Sequence, residues 1–234
     1  MTGTFHETGI ALFALGFVLG VKHALDPDHL VAVSTIVSTN RSLKRSSLAG
    51  IFWGAGHTTA LLIGGMIVLA LRVSIPERFA AGAERAVAVM LVVLGLNALW
   101  RAIKSSRLHI HVHTHGGRPH IHFHTHQQDR MLQHDHSHVF RLGFRSFVVG
   151  MVHGLAGTGA LMVLVIAAAP SFLAGSVYIL LFGVGSIGGM LILSSLISIP
   201  FVVSARSFQL CNSALQFATA LLSIGLGLYW ISPA

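Results

Sequence analysis

The stretch FVLGVKHALDPDHL, residues 17–30, brings five ionisable side chains into an apolar segment: Lys22, His23, Asp26, Asp28 and His29. Pro27 lies among them. Because proline lacks a backbone N–H and disfavours helical geometry at the residue before it, we predict that the first helix breaks near Pro27. In a bilayer a broken helix persists only where it is buried in protein or lines a wet cavity. The stretch therefore predicts a polar site inside a membrane helix.

The composition of the whole chain is that of an integral membrane protein. Of its 234 residues, 53% are hydrophobic and only 9% are charged, whereas a soluble domain carries about 25% charged residues. The single cysteine, Cys211, excludes a disulfide framework and a thiolate metal cluster. No basic region precedes the first apolar run, so we expect this span to be retained rather than cleaved as a signal.

Apolar blocks compared with a hydrocarbon core about 30 Å thick predict the membrane spans. Six are expected, near residues 8–38, 47–71, 82–102, 143–169, 174–199 and 209–232. The predicted fold is thus an all-α, polytopic membrane protein. With alternate loops on opposite sides, one face carries only Arg72, Arg78 and Arg85, and the other carries Arg41, Lys44, Arg45, Arg101, Lys104, Arg107, Arg118, Arg130, Arg141, Arg145 and Arg206.

The more basic face is expected to be cytoplasmic. Both termini then lie outside the cytosol, and the long connection 103–142 lies inside it, in a multi-pass protein of the cytoplasmic membrane. The net charge of +8 is explained by this topology and by contact with anionic lipid, so we expect the lipid bilayer as a partner and no nucleic acid.

An internal repeat is visible when the sequence is shifted by about 130 residues. The matching pairs are FVLGVKHAL (17–25) with FVVGMVHGL (147–155), GLNALW (95–100) with GLGLYW (225–230), and WGAGHTT (53–59) with FGVGSIG (182–188). Each half holds three predicted spans, an odd number, so the second half must be inverted. We predict a 3+3 inverted repeat, in which residues 1–102 and 143–234 form the two membrane halves. Inverted repeats with broken helices are a transporter architecture.

The histidines inside the spans are predicted to converge. At 1.5 Å of rise per residue, His23, His57 and His153 all fall near the middle of the bilayer, and His29 follows one to two turns later. Ionisable groups at that depth are costly and usually functional. A break at Pro27 lets His23, Asp28 and His29 face one pocket. Imidazole with carboxylate is a ligand set for nickel, cobalt, zinc or manganese.

Structural roles remain open for the same residues. His153 could be a hydrogen-bonded interior histidine, His57 could allow close helix packing in its small-residue segment, and the His23, Asp28 and His29 group could be an ion-paired kink. Lys22 has no lone pair and is expected to be a charge partner of Asp26 rather than a ligand. Lys22 and Asp26 are therefore assigned to charge pairing or proton coupling.

Residues 109–138 hold eleven of the sixteen histidines, which is a metal-binding composition. Gly116, Gly117 and Pro119 interrupt any long strand, so we expect a mobile tract that binds or buffers metal ions beside the cytosolic mouth. A pH-sensitive basic tail in contact with lipid is the alternative. The accessory metal residues predicted here are His109, His111, His113, His115, His120, His122, His124, His126, His134, His136 and His138.

These motifs resemble a known family. HALDPDH (23–29) resembles the His-x4-Asp-His signature of the nickel/cobalt transporter (NiCoT/NicO) superfamily, and FWGAGHTT (52–59) resembles its second motif, in which Gly-His precedes Ser or Thr. MVHGLAGTGAL (151–161) is similar to the urease accessory protein H-like branch. The resemblance implies that His23, Asp28, His29 and His57 bind metal, whereas His153 rests on the repeat and its depth.

The resemblance implies transport of Ni²⁺ or Co²⁺, with no prosthetic group. It also makes cytosolic nickel chaperones or urease accessory proteins the candidate partners. Uptake is favoured over efflux because the helix motifs look more like the urease accessory branch, although efflux members also carry histidine-rich loops. Two other functions remain open: an intramembrane zinc hydrolase with Asp28 as base, and a sulfite-type anion exporter, for which only Lys22 offers a cation in the cavity.

Overall fold

The computed structural model describes residues 14–40, 42–73, 75–105, 109–115, 118–124, 137–168 and 171–232. The described chain is mainly helical, with one pair of strands between the fourth and fifth helices. The helices are α1 (Ala14–His23), α2 (Pro27–Val37), α3 (Leu43–Leu71), α4 (Glu77–Ser105), α5 (Ser137–Ala168), α6 (Phe172–Ser207) and α7 (Gln209–Ile231), and the strands are β1 (His109–His115) and β2 (Arg118–His124).

The first span is broken as the sequence predicts. α1 ends at His23, residues 24–26 form a turn, and α2 begins at Pro27. Proline suits the first position of a helix, where its missing N–H would have no partner in any case. Asp26 is the N-cap residue with extended geometry (φ −62°, ψ 146°), but its side chain makes no capping hydrogen bond. That carboxylate is therefore free to bond elsewhere.

Four of the described helices are long and apolar enough to cross a membrane. They are Leu43–Leu71, Glu77–Lys104, Phe172–Ala205 and Gln209–Ile231. Two shorter apolar helical segments are Ala14–His23, which is α1, and Leu142–Gly157, which lies within α5. Large apolar side chains are exposed on their outer surfaces, for example Leu210 and Leu173. A multi-pass helical membrane protein is therefore confirmed, and the total of six spans stays a prediction.

Glycines bring the central helices into close contact. α3 packs along both α5 and α6, while α4 packs along α7. A Cβ atom added at any of four glycines would overlap a backbone carbonyl oxygen of the facing helix. The contacts are Gly20 with Phe182, Gly150 with Trp53, Gly56 with Phe147, and Gly185 with Phe17. The glycines therefore let the helix backbones approach closely, so that side chains on neighbouring helices can reach one another.

A pair of short strands lies in the histidine-rich connection of the otherwise helical described chain. β1 and β2 pair antiparallel, with Thr114 opposite Pro119. Each strand is seven residues long, and residues 116–117 lie between them; the mobility expected of this tract stays a prediction. Proline is tolerated because each strand of a two-stranded sheet has one edge that needs no N–H donor. Histidine positions face one another across the ladder at His109–His124, His111–His122 and His113–His120.

The other predicted accessory histidines lie elsewhere. His115 is in β1 opposite Arg118, and His138 is in the first turn of α5. Three lie outside the described residues: His126, His134 and His136.

Candidate metal centre

The break between α1 and α2 brings together five of the residues singled out in the sequence. They are His23 from the end of α1, Asp28 and His29 from the first turn of α2, His57 from α3 and His153 from α5. His29 and His57 are fully buried, and His153 is 2% exposed. Four helices separated in sequence therefore contribute to one polar cluster, and the predicted convergence is found in the structure.

Three histidines of the cluster place their ring nitrogens close to one another. His23, His29 and His57 each offer a ring nitrogen within 4.8 Å of the other two, and Nε2 of His23 lies 3.2 Å from Nε2 of His57. Nδ1 of His23 donates a hydrogen bond to Oδ2 of Asp26 at 2.7 Å. Because an ionised carboxylate only accepts, this bond fixes the proton on Nδ1 and leaves the Nε2 lone pair available for a metal ion.

Asp28 connects two further histidines. Its Oδ2 accepts from Nε2 of His153 at 2.6 Å. Its Oδ1 accepts from the backbone N–H of His29 at 3.0 Å and from Nδ1 of His29 at 3.1 Å. Asp28, His29 and His153 also meet the geometric condition for a shared ion, within 4.8 Å. His29 thus belongs to both groups, and the carboxylate of Asp28 is placed where it could orient the two rings or bind an ion.

Several buried ring nitrogens of the cluster have no partner among the described residues. They are Nε2 of His29, Nδ1 of His57 and Nδ1 of His153. Buried polar atoms are nearly always hydrogen-bonded, and an exception needs an explanation. For Nε2 of His29 the explanation is direct, since the bond from Nδ1 to Asp28 leaves a lone pair on Nε2. A divalent ion bound by imidazoles would satisfy it.

The expected pairing of Lys22 with Asp26 is not what the structure has. The carboxylate of Asp26 bonds to His23 instead, while Lys22 is exposed on α1. The turn at residues 24–26 explains the difference, because the i, i+4 spacing that would join Lys22 to Asp26 exists only in a continuous helix. Asp26 is therefore joined to the His/Asp cluster by its hydrogen bond to His23.

A cavity of about 550 Å³ opens from the cluster. It includes His23, Asp28, His29 and His153 and extends to side chains that the sequence analysis did not single out: Glu84, Tyr229, Trp230 and Ser232. Glu84 lies in the first third of α4 and the other three at the end of α7. The signal that could have identified Glu84 was an acidic residue inside an apolar span. We refer to this cavity as the vestibule.

Comparison with known proteins is consistent with this chemistry. Residues 9–228 match the NicO family, described as "High-affinity nickel-transport protein". The chain is 37% identical over 225 residues to Urease accessory protein UreH of Bacillus sp. (strain TB-90), covering 95% of this chain and 91% of that protein. No solved structure matches it.

Two more distant relatives are matched over a smaller part of their own length. Chloroplast protein FOR GROWTH AND FERTILITY 1 of Arabidopsis thaliana is 28% identical over 215 residues, 91% of this chain but 56% of that protein. The High-affinity nickel transport protein of Cupriavidus necator is 30% identical over 74 residues, 31% of this chain and 20% of that protein. The family match spans nearly the whole chain, and the protein therefore belongs to the NicO family of nickel-transport proteins, which are transporters and not enzymes.

Proposed function

We propose that the protein transports Ni²⁺, or Co²⁺, across the cytoplasmic membrane through the His/Asp cluster at the break between α1 and α2. The observation that carries the proposal is the group of three ring nitrogens from His23, His29 and His57, within 4.8 Å of one another. Their partners, Asp26 and Asp28, fix ring protons on the sides away from that group. His153 completes the site through Asp28.

The ligand types favour a borderline transition metal. Imidazole nitrogens suit nickel, cobalt and zinc, while an ion such as magnesium prefers oxygen ligands only. Cys211, the only cysteine of the chain, is exposed on α7, so no thiolate contributes. A site made of neutral imidazoles with carboxylates behind them binds an ion without trapping it, as a transporter requires.

We propose six spans arranged as a 3+3 inverted repeat, with residues 1–102 and 143–234 as its halves and 103–142 as the histidine-rich connection. The glycine contacts support this arrangement. A shift of about 130 residues converts the contact of Gly20 with Phe182 into that of Gly150 with Trp53. The same shift converts the contact of Gly185 with Phe17 into that of Gly56 with Phe147. Equivalent helix pairs are what two inverted copies would produce.

The proposed direction is uptake. The uneven distribution of Lys and Arg supports a cytosolic histidine-rich hairpin and termini on the outer side. In that orientation the end of the bundle with Glu84 and Trp230 faces outward, and the vestibule connects it to the His/Asp cluster. An ion arriving from outside would meet a carboxylate first and the imidazoles next.

We propose that the hairpin of β1 and β2 binds the ion after release and that the ion passes to cytosolic nickel chaperones or urease accessory proteins. The likeness to a protein named Urease accessory protein UreH supports this destination. An anion exporter is disfavoured, since Asp26 and Asp28 would repel the anion at the cluster. A zinc hydrolase is disfavoured by membership of a transporter family.

The test uses purified protein in sealed liposomes, with gradients of nickel, cobalt, zinc and manganese applied in each direction. We expect saturable nickel or cobalt flux in the wild type, its loss in His23→Ala, and its persistence in a chain without residues 109–138. The deletion is the matched control, because it removes eleven histidines without touching the cluster. Absence of flux of all four metals in folded, reconstituted wild type would refute the proposal.

A further inference from the structure

A second cavity, separate from the vestibule, lies at the other end of the bundle. Its volume is about 480 Å³, and residues of α2, α4 and α5 line it. None of the five clustered His and Asp residues is among the residues that line it. Arg101, near the end of α4, and Arg145, near the start of α5, both contribute to its wall. The cavity therefore lies at the end of the bundle from which the hairpin extends.

Two polar atoms that line this cavity are buried without a described hydrogen-bond partner. The hydroxyl of Ser146, a residue 2% exposed, and Nδ2 of Asn40 are buried and have no partner in the described part of the chain. Arg101 and Arg145 add guanidinium groups, which only donate. The ion pairs among the described residues all involve histidine, so neither guanidinium is paired with a described carboxylate.

This chemistry selects an anion. No carboxylate is among the described residues that line the cavity, and two positive charges disfavour a divalent metal ion there. Phosphate is matched by planar guanidinium groups, which bind two of its oxygens at once. A cavity on the path of Ni²⁺ would be lined by negative charges, as the vestibule is by Glu84 and Asp28. The second cavity therefore serves a ligand other than the cargo.

Apart from Thr35, Thr39 and Asn97, the remaining wall is apolar, and part of it is exposed on the outer surface of the bundle. Val93 of α4 is 57% exposed, and Phe144 and Val148 of α5 are 61% and 41% exposed. Leu94 and Val149 lie beside them in the same groove. A free phosphate ion would use only the polar end of such a site. A molecule with a phosphate and a hydrocarbon chain would use both.

We propose that the groove between α4 and α5 binds an anionic phospholipid, with its phosphate at Arg101, Arg145 and Ser146 and an acyl chain along Val93 and Val148. In the proposed orientation this end of the bundle meets the cytosolic leaflet, where anionic lipids attract basic side chains. The lipid fills the groove between α4, which packs along α7, and α5, which packs along α3. It thereby stabilises the packing of α4 against α5.

The proposal is tested by lipid titration of the full-length protein in a neutral detergent, with native mass spectrometry as the readout. The probes are phosphatidylglycerol and phosphatidylcholine with identical acyl chains. We expect saturable binding of one phosphatidylglycerol in preference to phosphatidylcholine. The preference falls at least about tenfold in Arg101→Gln/Arg145→Gln, as expected from about 1 kcal/mol per arginine near a membrane surface. It is retained in Arg78→Gln/Arg85→Gln, which removes the same charge at the opposite end.

Two further measurements keep the test decisive. The Arg101→Gln/Arg145→Gln variant should bind Ni²⁺ as the wild type does, which shows that it is folded, and Ser146→Ala should weaken lipid binding while both charges remain. Inorganic phosphate should compete only weakly with the lipid. Equal loss in the two double variants, or binding of inorganic phosphate as strong as that of phosphatidylglycerol, would overturn the lipid assignment.

Discussion

His153 donates from Nε2 to Oδ2 of Asp28 across 2.6 Å, and the two residues are 125 positions apart in the chain. This bond joins α5 to the first turn of α2. It lies in the middle of the cluster, because the same carboxylate accepts from His29. The two proposed halves of the protein therefore meet at the residues that we propose bind the ion.

Replacing Asp28 with asparagine should weaken nickel binding by about 10-fold to 100-fold, the usual effect of losing a partner that orients metal ligands. The amide oxygen accepts at one position only, so His29 and His153 can no longer both be held. Isothermal titration calorimetry of a chain without residues 109–138 measures the effect, since the deletion removes competing histidines. Asp26→Asn is the comparison. Its side chain is 47% exposed against 16% for Asp28, so the loss should be smaller; a larger loss in Asp26→Asn would contradict these assignments.

Replacing Glu84 with glutamine should slow capture of the ion without changing the site itself. We expect the half-saturating nickel concentration to rise roughly threefold to tenfold at low salt, with the maximal flux unchanged, because one attractive charge is removed from the vestibule. Initial flux in liposomes with ions added on the Glu84 side measures this. Glu77→Gln removes the same charge from the start of α4 outside the vestibule and should have little effect. Equal effects in the two variants would mean that surface charge alone is responsible.

Alanine at Gly150 should destabilise the protein by about 1–3 kcal/mol, the typical cost of overpacking a close contact. The added methyl would overlap the backbone carbonyl of Trp53, and α3 and α5 would have to separate beside His57 and His153. The melting temperature in detergent is the measurement. Gly82→Ala is the matched control, since nothing lies within 4 Å of its added Cβ, and it should be neutral or stabilising. A Gly150→Ala protein with the same melting temperature as the wild type would show that α3 and α5 are further apart than the structure has them.

Replacing both His111 and His122 of the hairpin with alanine should lower the number of nickel ions bound per chain. The maximal flux should be unchanged. The two positions are opposite each other in the ladder, where facing residues have Cβ atoms about 4.5–5.5 Å apart. Equilibrium dialysis against nickel gives the stoichiometry. A matched variant changes Val112 and Ile121, the neighbouring pair, to alanine and should retain the metal. Loss of flux in the histidine variant would move the hairpin from buffering to the transport step itself.

Local chemistry made part of this structure predictable. The break followed from Pro27 alone, because proline's missing N–H acts within one turn of the helix. The convergence of His23, His57 and His153 followed from their depth, because a charged group in hydrocarbon must face the interior. Both arguments need only the sequence and the thickness of the bilayer.

The pairing of individual side chains could not be predicted. Asp26 bonds to His23 rather than Lys22 because the turn at 24–26 redirects its carboxylate, and helix periodicity says nothing about a turn. Glu84 enters the vestibule only through the packing of α4, which no local pattern encodes. Pro119 lies inside β2, opposite Thr114, because a strand tolerates proline where its backbone N–H position is unpaired, which the local sequence does not reveal.

The two carboxylates bonded to the imidazoles determine which ionic charge the cluster can neutralise. Asp26 and Asp28 accept hydrogen bonds from ring N–H groups, and with neutral rings and ionised carboxylates the empty cluster carries two negative charges. An ion of charge 2+ brings this sum to zero, and a neutral assembly is the one that a low-dielectric interior tolerates best. A monovalent ion leaves one charge uncompensated and a trivalent ion adds one. This charge balance thus favours a divalent ion over potassium or ferric iron, before ligand preference discriminates among the divalent metals.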